Sequence, residues 1–108
     1  MPHYLMQGSY SAQGVSGLIS SPEDRSAVLL QLLEGIGGKA EAFYYCFGDY
    51  DFAVILEVPD SVSMAALSMV AGASGALSNI KTTVLIPISE GVEAARKAAS
   101  MGYRPPGS

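Results

Sequence analysis

A single cysteine, a single histidine and no tryptophan leave this chain short of several common kinds of chemistry. One thiol makes no internal disulfide. With only one imidazole beside it, no multi-cysteine or two-histidine zinc site exists within one copy. Basic residues are scarce too, six against ten acidic ones for a formal net charge of −4. They form no basic cluster, which argues against nucleic acid as the main partner. No apolar run approaches the roughly 20 residues of a membrane span, and the start lacks the charged and apolar regions of a secretory signal. Gly35-Ile36-Gly37-Gly38 follows a predicted helix, whereas a phosphate cradle needs a strand, then glycines, then a helix N-terminus. The expectation is a cytoplasmic domain with no cofactor, no metal, and neither membrane nor nucleic acid as partner.

What the chain does have is apolar weight. Of its 108 residues 49% are apolar and 15% charged, which suits one folded domain rather than a disordered chain. His3–Tyr10 reads as a first strand. Gly14 and Gly17 interrupt residues 11–20, which predicts a loop or a short turn there. Ser21-Pro22-Glu23-Asp24 predicts a helix start, with Ser21 as cap and Leu29, Leu30, Leu32, Leu33 and Ile36 following. Residues 39–47 and 51–58 are rich in β-formers and flank Gly48-Asp49, so they predict a hairpin. Pro59-Asp60-Ser61 predicts the start of a helix to about Ala73, residues 79–88 a fourth strand, and residues 89–101 an alanine-rich helix. The order is βαββαβ plus a C-terminal helix. It predicts an α+β ferredoxin-like plait with an antiparallel four-stranded sheet over residues 1–101, and an extended tail over 102–108.

Helices cover one face of such a sheet. If the hairpin turns at Gly48-Asp49, facing residues have numbers summing to 97. One face then carries Phe43, Tyr45, Phe52, Val54 and Leu56; the other carries Ala40, Ala42, Tyr44, Cys46, Asp51, Ala53, Ile55 and Glu57. Both hold apolar groups, and strands apolar on both sides are normally buried on both sides. Leaving ~500 Å2 of apolar sheet in water would forgo on the order of 12 kcal/mol at roughly 25 cal/mol per Å2, before association costs. Pairing of two sheets in a homodimer is the simplest remedy.

The segment Gly37-Gly38-Lys39-Ala40-Glu41-Ala42-Phe43-Tyr44 followed by Phe47-Gly48-Asp49-Tyr50-Asp51 resembles the GYD-domain family of small bacterial proteins. Tyr4-Leu5, Arg25 and Glu57-Val58-Pro59-Asp60 extend the resemblance over residues 3–97. It implies the dimeric α/β-barrel group, whose members pack two sheets face to face around a cavity. That group includes cofactor-independent monooxygenases, haem-dependent enzymes and stress-response proteins, so the scaffold alone selects no activity.

Tyr44, Asp49, Tyr50 and Asp51 are the candidate ligand-binding residues. Asp51 is also the candidate catalytic acid–base, because a carboxylate among apolar neighbours can work near neutral pH. Turn chemistry beside Gly48 is the plain alternative for Asp49, and a backbone bond is the alternative for Asp51. His3 is expected to be an exposed, unremarkable side chain and Cys46 a buried apolar thiol. The other tyrosines, including Tyr10 and Tyr45, are candidates for stacking on a planar ligand. Three functions fit: a homo-oligomeric module binding a small apolar or aromatic molecule in a cavity between two sheets, a cofactor-independent oxygenase or isomerase acting on a small aromatic substrate, and a purely structural assembly protein.

Overall fold

Strand β1 (His3–Tyr10) alternates from His3 to Ser9, with Tyr4, Met6 and Gly8 buried and the odd-numbered residues partly exposed, the period-two pattern of a strand covered on one side; Tyr10 at its end is partly buried. The computed structural model, which describes residues 1–107, runs on through α1 (Ala12–Ser20), α2 (Ser26–Gly35), β2 (Lys39–Tyr45), β3 (Phe52–Glu57), α3 (Ser61–Ala73), β4 (Leu77–Leu85) and α4 (Ile88–Ala99). The strands form one sheet in the order β2-β3-β1-β4, every neighbour antiparallel. That is the α+β ferredoxin-like plait. Its core lies between one sheet face and α2 and α3: Tyr4, Met6, Phe52, Val54 and Leu56 from the sheet, with Val58 just beyond β3, meet Leu29, Leu33, Met64 and Leu67.

The helices differ from the sequence reading in two places. Residues 11–20 form a true α-helix rather than a loop. The Ser11 hydroxyl accepts from the Gly14 amide at 3.1 Å and donates to the Gly75 carbonyl. A Cβ on Gly14 would stand 2.3 Å from the Ala76 carbonyl oxygen, so here glycine permits close approach instead of breaking the helix. Ser21 closes α1 rather than opening α2. Asp24 takes the expected role of Ser21, accepting from the amide and hydroxyl of Ser26, and these bonds hold its carboxyl below the ordinary range. The end of α2 is a Schellman turn: Gly38 N–H donates to Leu33 and Gly37 N–H to Glu34, with Gly37 left-handed at φ 74°. Asp60 caps α3 by accepting from Ser63 N at 2.8 Å.

The hairpin register also has a correction. Ala42, Phe43, Tyr44 and Tyr45 face Ile55, Val54, Ala53 and Phe52 as the sum of 97 requires, but Ala40 faces Leu56. A bulge at Glu41 absorbs one residue and turns Ala40 to the helix-covered side, where it packs on the core. The other face keeps Leu5, Ala42, Ala53, Ile55, Thr83 and Leu85, all partly exposed with no helix over them.

Helix α4 is the other unpaired surface. The radius of gyration is 17.6 Å and the long dimension 60 Å, against about 13 Å expected for a compact domain of this size. Among the described residues, α4 packs extensively on no other element. Ile88, Val92, Ala95 and Ala99 form one stripe along it at helical spacing, with Ile88 86% and Val92 45% exposed.

The two glycines of α1 give a direct check. Gly14→Ala should lower stability by about 1–3 kcal/mol through the Ala76 clash. Gly17→Ala, with open space around it, should be neutral or stabilising by up to about 1 kcal/mol. Urea unfolding of both variants reads the difference, and equal effects would contradict the packing of α1 on the start of β4.

Candidate functional site

Tyr10 ends β1 where the β1–β4 ladder shifts register between Ser9 and Tyr10. Its amide cannot continue the ladder and donates instead to Asp51 Oδ2 at 2.9 Å, while the Asp51 amide donates to the Gly8 carbonyl at 2.8 Å. This reciprocal pair ties the hairpin loop to the central strand and aims the Tyr10 ring over the helix-covered side. There it meets Tyr45 and Phe52, at centroid distances of 6.5 and 5.6 Å. Phe43 packs on the same two rings at 6.0 and 6.1 Å. The tilted geometry is the one ring quadrupoles favour.

Clefts open on both sides of Tyr10. One, of about 290 Å3, runs beneath α2 and α3 and is walled by Met6, Leu29, Phe43, Phe52 and Leu77, with Arg25 among its few polar groups. Another, of about 440 Å3, is lined by Leu18, Tyr45, Phe47 and Asp51. Each is near the lower size of small-molecule sites, and each pairs apolar walls with a few polar groups. Burial pushes the Tyr10 phenol up to about 12, helped by Tyr45 as neighbouring phenol and hydrogen-bond partner and by Asp51, and opposed by Arg25. Tyr10 therefore stays a neutral hydroxyl at physiological pH, suited to hydrogen bonding and far from the poise of a general base. The Arg25 guanidinium, itself paired with Glu23 at 2.6 Å, adds the positive charge that a carboxylate or other anionic group would meet.

The structure disperses the residues singled out from sequence. Asp51 lines the larger cleft, with its carboxylate engaged by the Tyr10 amide. Tyr44 lies on the opposite, uncovered face, 69% exposed. Asp49 has an exposed side chain, and its carbonyl accepts from Ser9 Oγ at 3.4 Å. Tyr50 is half-buried in the loop, and its carbonyl accepts from Cys46 Sγ at 3.2 Å. Cys46 is only partly buried, because it sits at the loop rather than under a helix. His3 is not a free surface residue either: Nε2 lies 2.7 Å from Glu57 Oε1 and 3.0 Å from Glu41 Oε1. Among the described residues these three are the group whose donor atoms converge within 4.8 Å, as a metal would need. Sequence reasoning did not connect Arg25 with Tyr10; an arginine just before a leucine-rich helix was the available signal.

The family model of the GYD domain matches residues 4–95. The chain belongs to the GYD domain family. This GYD domain is 26% identical over 92 residues to a protein of Thermus thermophilus named glutamine synthetase and cystathionine beta-lyase binding protein, covering 83% of this chain and 94% of that one. It resembles the crystal structure of FFRP-DM1 with a TM-score of 0.52 at 13% identity, over 80% of this chain and all of the other. A hypothetical protein, PHS023 of Pyrococcus horikoshii, matches with a TM-score of 0.51 at 12% identity, over 81% and 92% of the two chains. At those identities the structural likeness establishes the fold alone. No helix of the GYD domain among the described residues is long and apolar enough to cross a membrane.

The raised Tyr10 pKa carries a stability prediction of definite sign. The folded state holds this proton more tightly than the unfolded chain, so the contribution is complete below the ordinary value of 10.0 and is lost as pH rises towards about 12. Tyr10→Phe should flatten the fall in unfolding free energy across that window, measured by denaturant titration at each pH. An unchanged slope would contradict the placement of the phenol.

Proposed function

We propose that this GYD domain works as a homo-oligomeric binding module in which the two faces of the sheet have separate tasks. The uncovered face joins a second copy, and each copy keeps its own cleft around Tyr10 for a small apolar or aromatic ligand. The observation that carries the reading is the uncovered face itself, with Leu5, Ala42, Ala53 and Ile55 at its centre and, among the described residues, no helix to shield them. The cleft is then lodged between sheet and helices within one subunit, rather than between the two sheets. Arg25 and the neutral Tyr10 hydroxyl favour an aromatic molecule bearing an acidic group. Binding is favoured over proton-transfer catalysis because the Asp51 carboxylate is committed to a backbone amide and Tyr10 holds its proton too tightly.

A second reading is favoured by α4, which among the described residues packs extensively on no other element and leaves Ile88 and Val92 of its apolar stripe exposed. The Thermus thermophilus relative is named for binding two other proteins, and a projecting amphipathic helix is a common docking element. In this reading α4 is the arm that engages a partner protein, while the sheet face still pairs copies.

Sedimentation equilibrium tests the assembly. The native chain should be a dimer, Ile55→Arg should yield a folded monomer, and Val92→Glu should remain a dimer if α4 serves a different protein. A monomeric native chain would contradict the sheet pairing. For the cleft, the probe is the aromatic sulfonate anilinonaphthalene sulfonate. Its fluorescence enhancement should survive Ile55→Arg and be largely lost in Ala71→Phe, which fills the wall of the cleft. The opposite pattern would assign the probe to the sheet face and overturn the cleft as the ligand site.

A further inference from the structure

We propose that His3, Glu41 and Glu57 form a binding site for a first-row divalent metal ion at one end of the uncovered sheet face. The three residues come from three adjacent strands. His3 on β1 is directly opposite Glu57 on β3, and the bulge in β2 at Glu41 supplies the third donor. An unbulged β2 would have kept the 97 register and turned Glu41 to the helix-covered side with Phe43. The irregularity therefore completes the group.

The donor spacing suits a metal. With bonds of about 2.0–2.2 Å, adjacent nitrogen and oxygen ligands stand roughly 2.9–3.5 Å apart. Here Nε2 is 3.0 Å from Glu41 Oε1, inside that range, and 2.7 Å from Glu57 Oε1, a hydrogen-bond distance that would lengthen slightly around an ion. One imidazole nitrogen carries at most one proton, yet two carboxylates converge on it. Lys39 Nζ approaches only the far oxygen, Glu57 Oε2, at 3.6 Å, from a side chain that is 68% exposed. Glu57 and His3 are the better sheltered, with side chains 17% and 28% exposed. A divalent ion would displace the shared proton and balance both carboxylates. One imidazole with two carboxylates suits zinc, manganese or iron(II), and three protein ligands leave positions open for water. The site is independent of the Tyr10 cleft and does not require the sheets to pair.

His3 is the sole histidine, so the native, tag-free chain gives a clean readout. Zinc chloride added to the full chain should shift the ring-nitrogen resonances of His3 in a long-range proton–nitrogen spectrum, and calorimetry should show one saturable site per chain, reversed by a chelator. His3→Gln and Glu57→Gln should each weaken zinc binding by at least about tenfold, while Lys39→Met leaves it equal or tighter. Unmoved His3 resonances, or affinity unaltered by both ligand variants, would overturn the proposal and leave the group as a hydrogen-bonded ion cluster.

Discussion

A four-stranded plait has two faces and, in this chain, helix enough for one. Leu33, Leu56, Val54 and Val58 are fully enclosed between sheet and helices. Across the same strands Leu5, Ala53 and Ile55 stay partly exposed, with no helix over them among the described residues. Burial of apolar surface is the main favourable term in folding and in association alike, so covering this face would add stabilisation that one copy does not realise. The C-terminal helix does not relieve it, because α4 projects away from the sheet with its own apolar stripe exposed.

That constraint also separates the two kinds of site. On the covered side, the aromatic group of Tyr10, Phe43, Tyr45 and Phe52 borders clefts whose chemistry is apolar with a few polar fixtures. On the uncovered side, polar chemistry gathers at one end of the sheet, where His3, Glu41, Glu57 and Lys39 lie across three strands. A binding role fits the first arrangement because its carboxylate is already engaged and its phenol keeps its proton. Asp51 answers a backbone amide stranded by a register shift, and Tyr10 is held protonated by burial.

Most of the fold was legible in the sequence. The strand His3–Tyr10 and the helix Ser61–Ala73 emerge at the expected bounds, because their patterns are local: alternation in one, a capping Asp60 in the other. The misreadings each involve a partner far along the chain. Gly14 looked like a helix breaker because its reason, the Ala76 carbonyl against α1, lies sixty residues away. Ser21 looked like a cap because nothing local distinguishes it from Asp24 as the start of α2. The candidate site was less legible for the same reason. The tyrosines were visible as a set, but the engagement of Asp51 by Tyr10 depends on a ladder shift that no composition reveals. The grouping of His3 with Glu41 and Glu57 depends on a bulge that breaks the simple register.

The most direct measurement of sheet pairing is a half-filtered nuclear Overhauser experiment on a mixture of isotope-labelled and unlabelled chains. The account predicts cross-copy contacts from the Ile55 and Leu5 methyls to their counterparts and to the Tyr44 ring. Cross-copy contacts confined to α4, or none at all in the presence of folded protein, would contradict it.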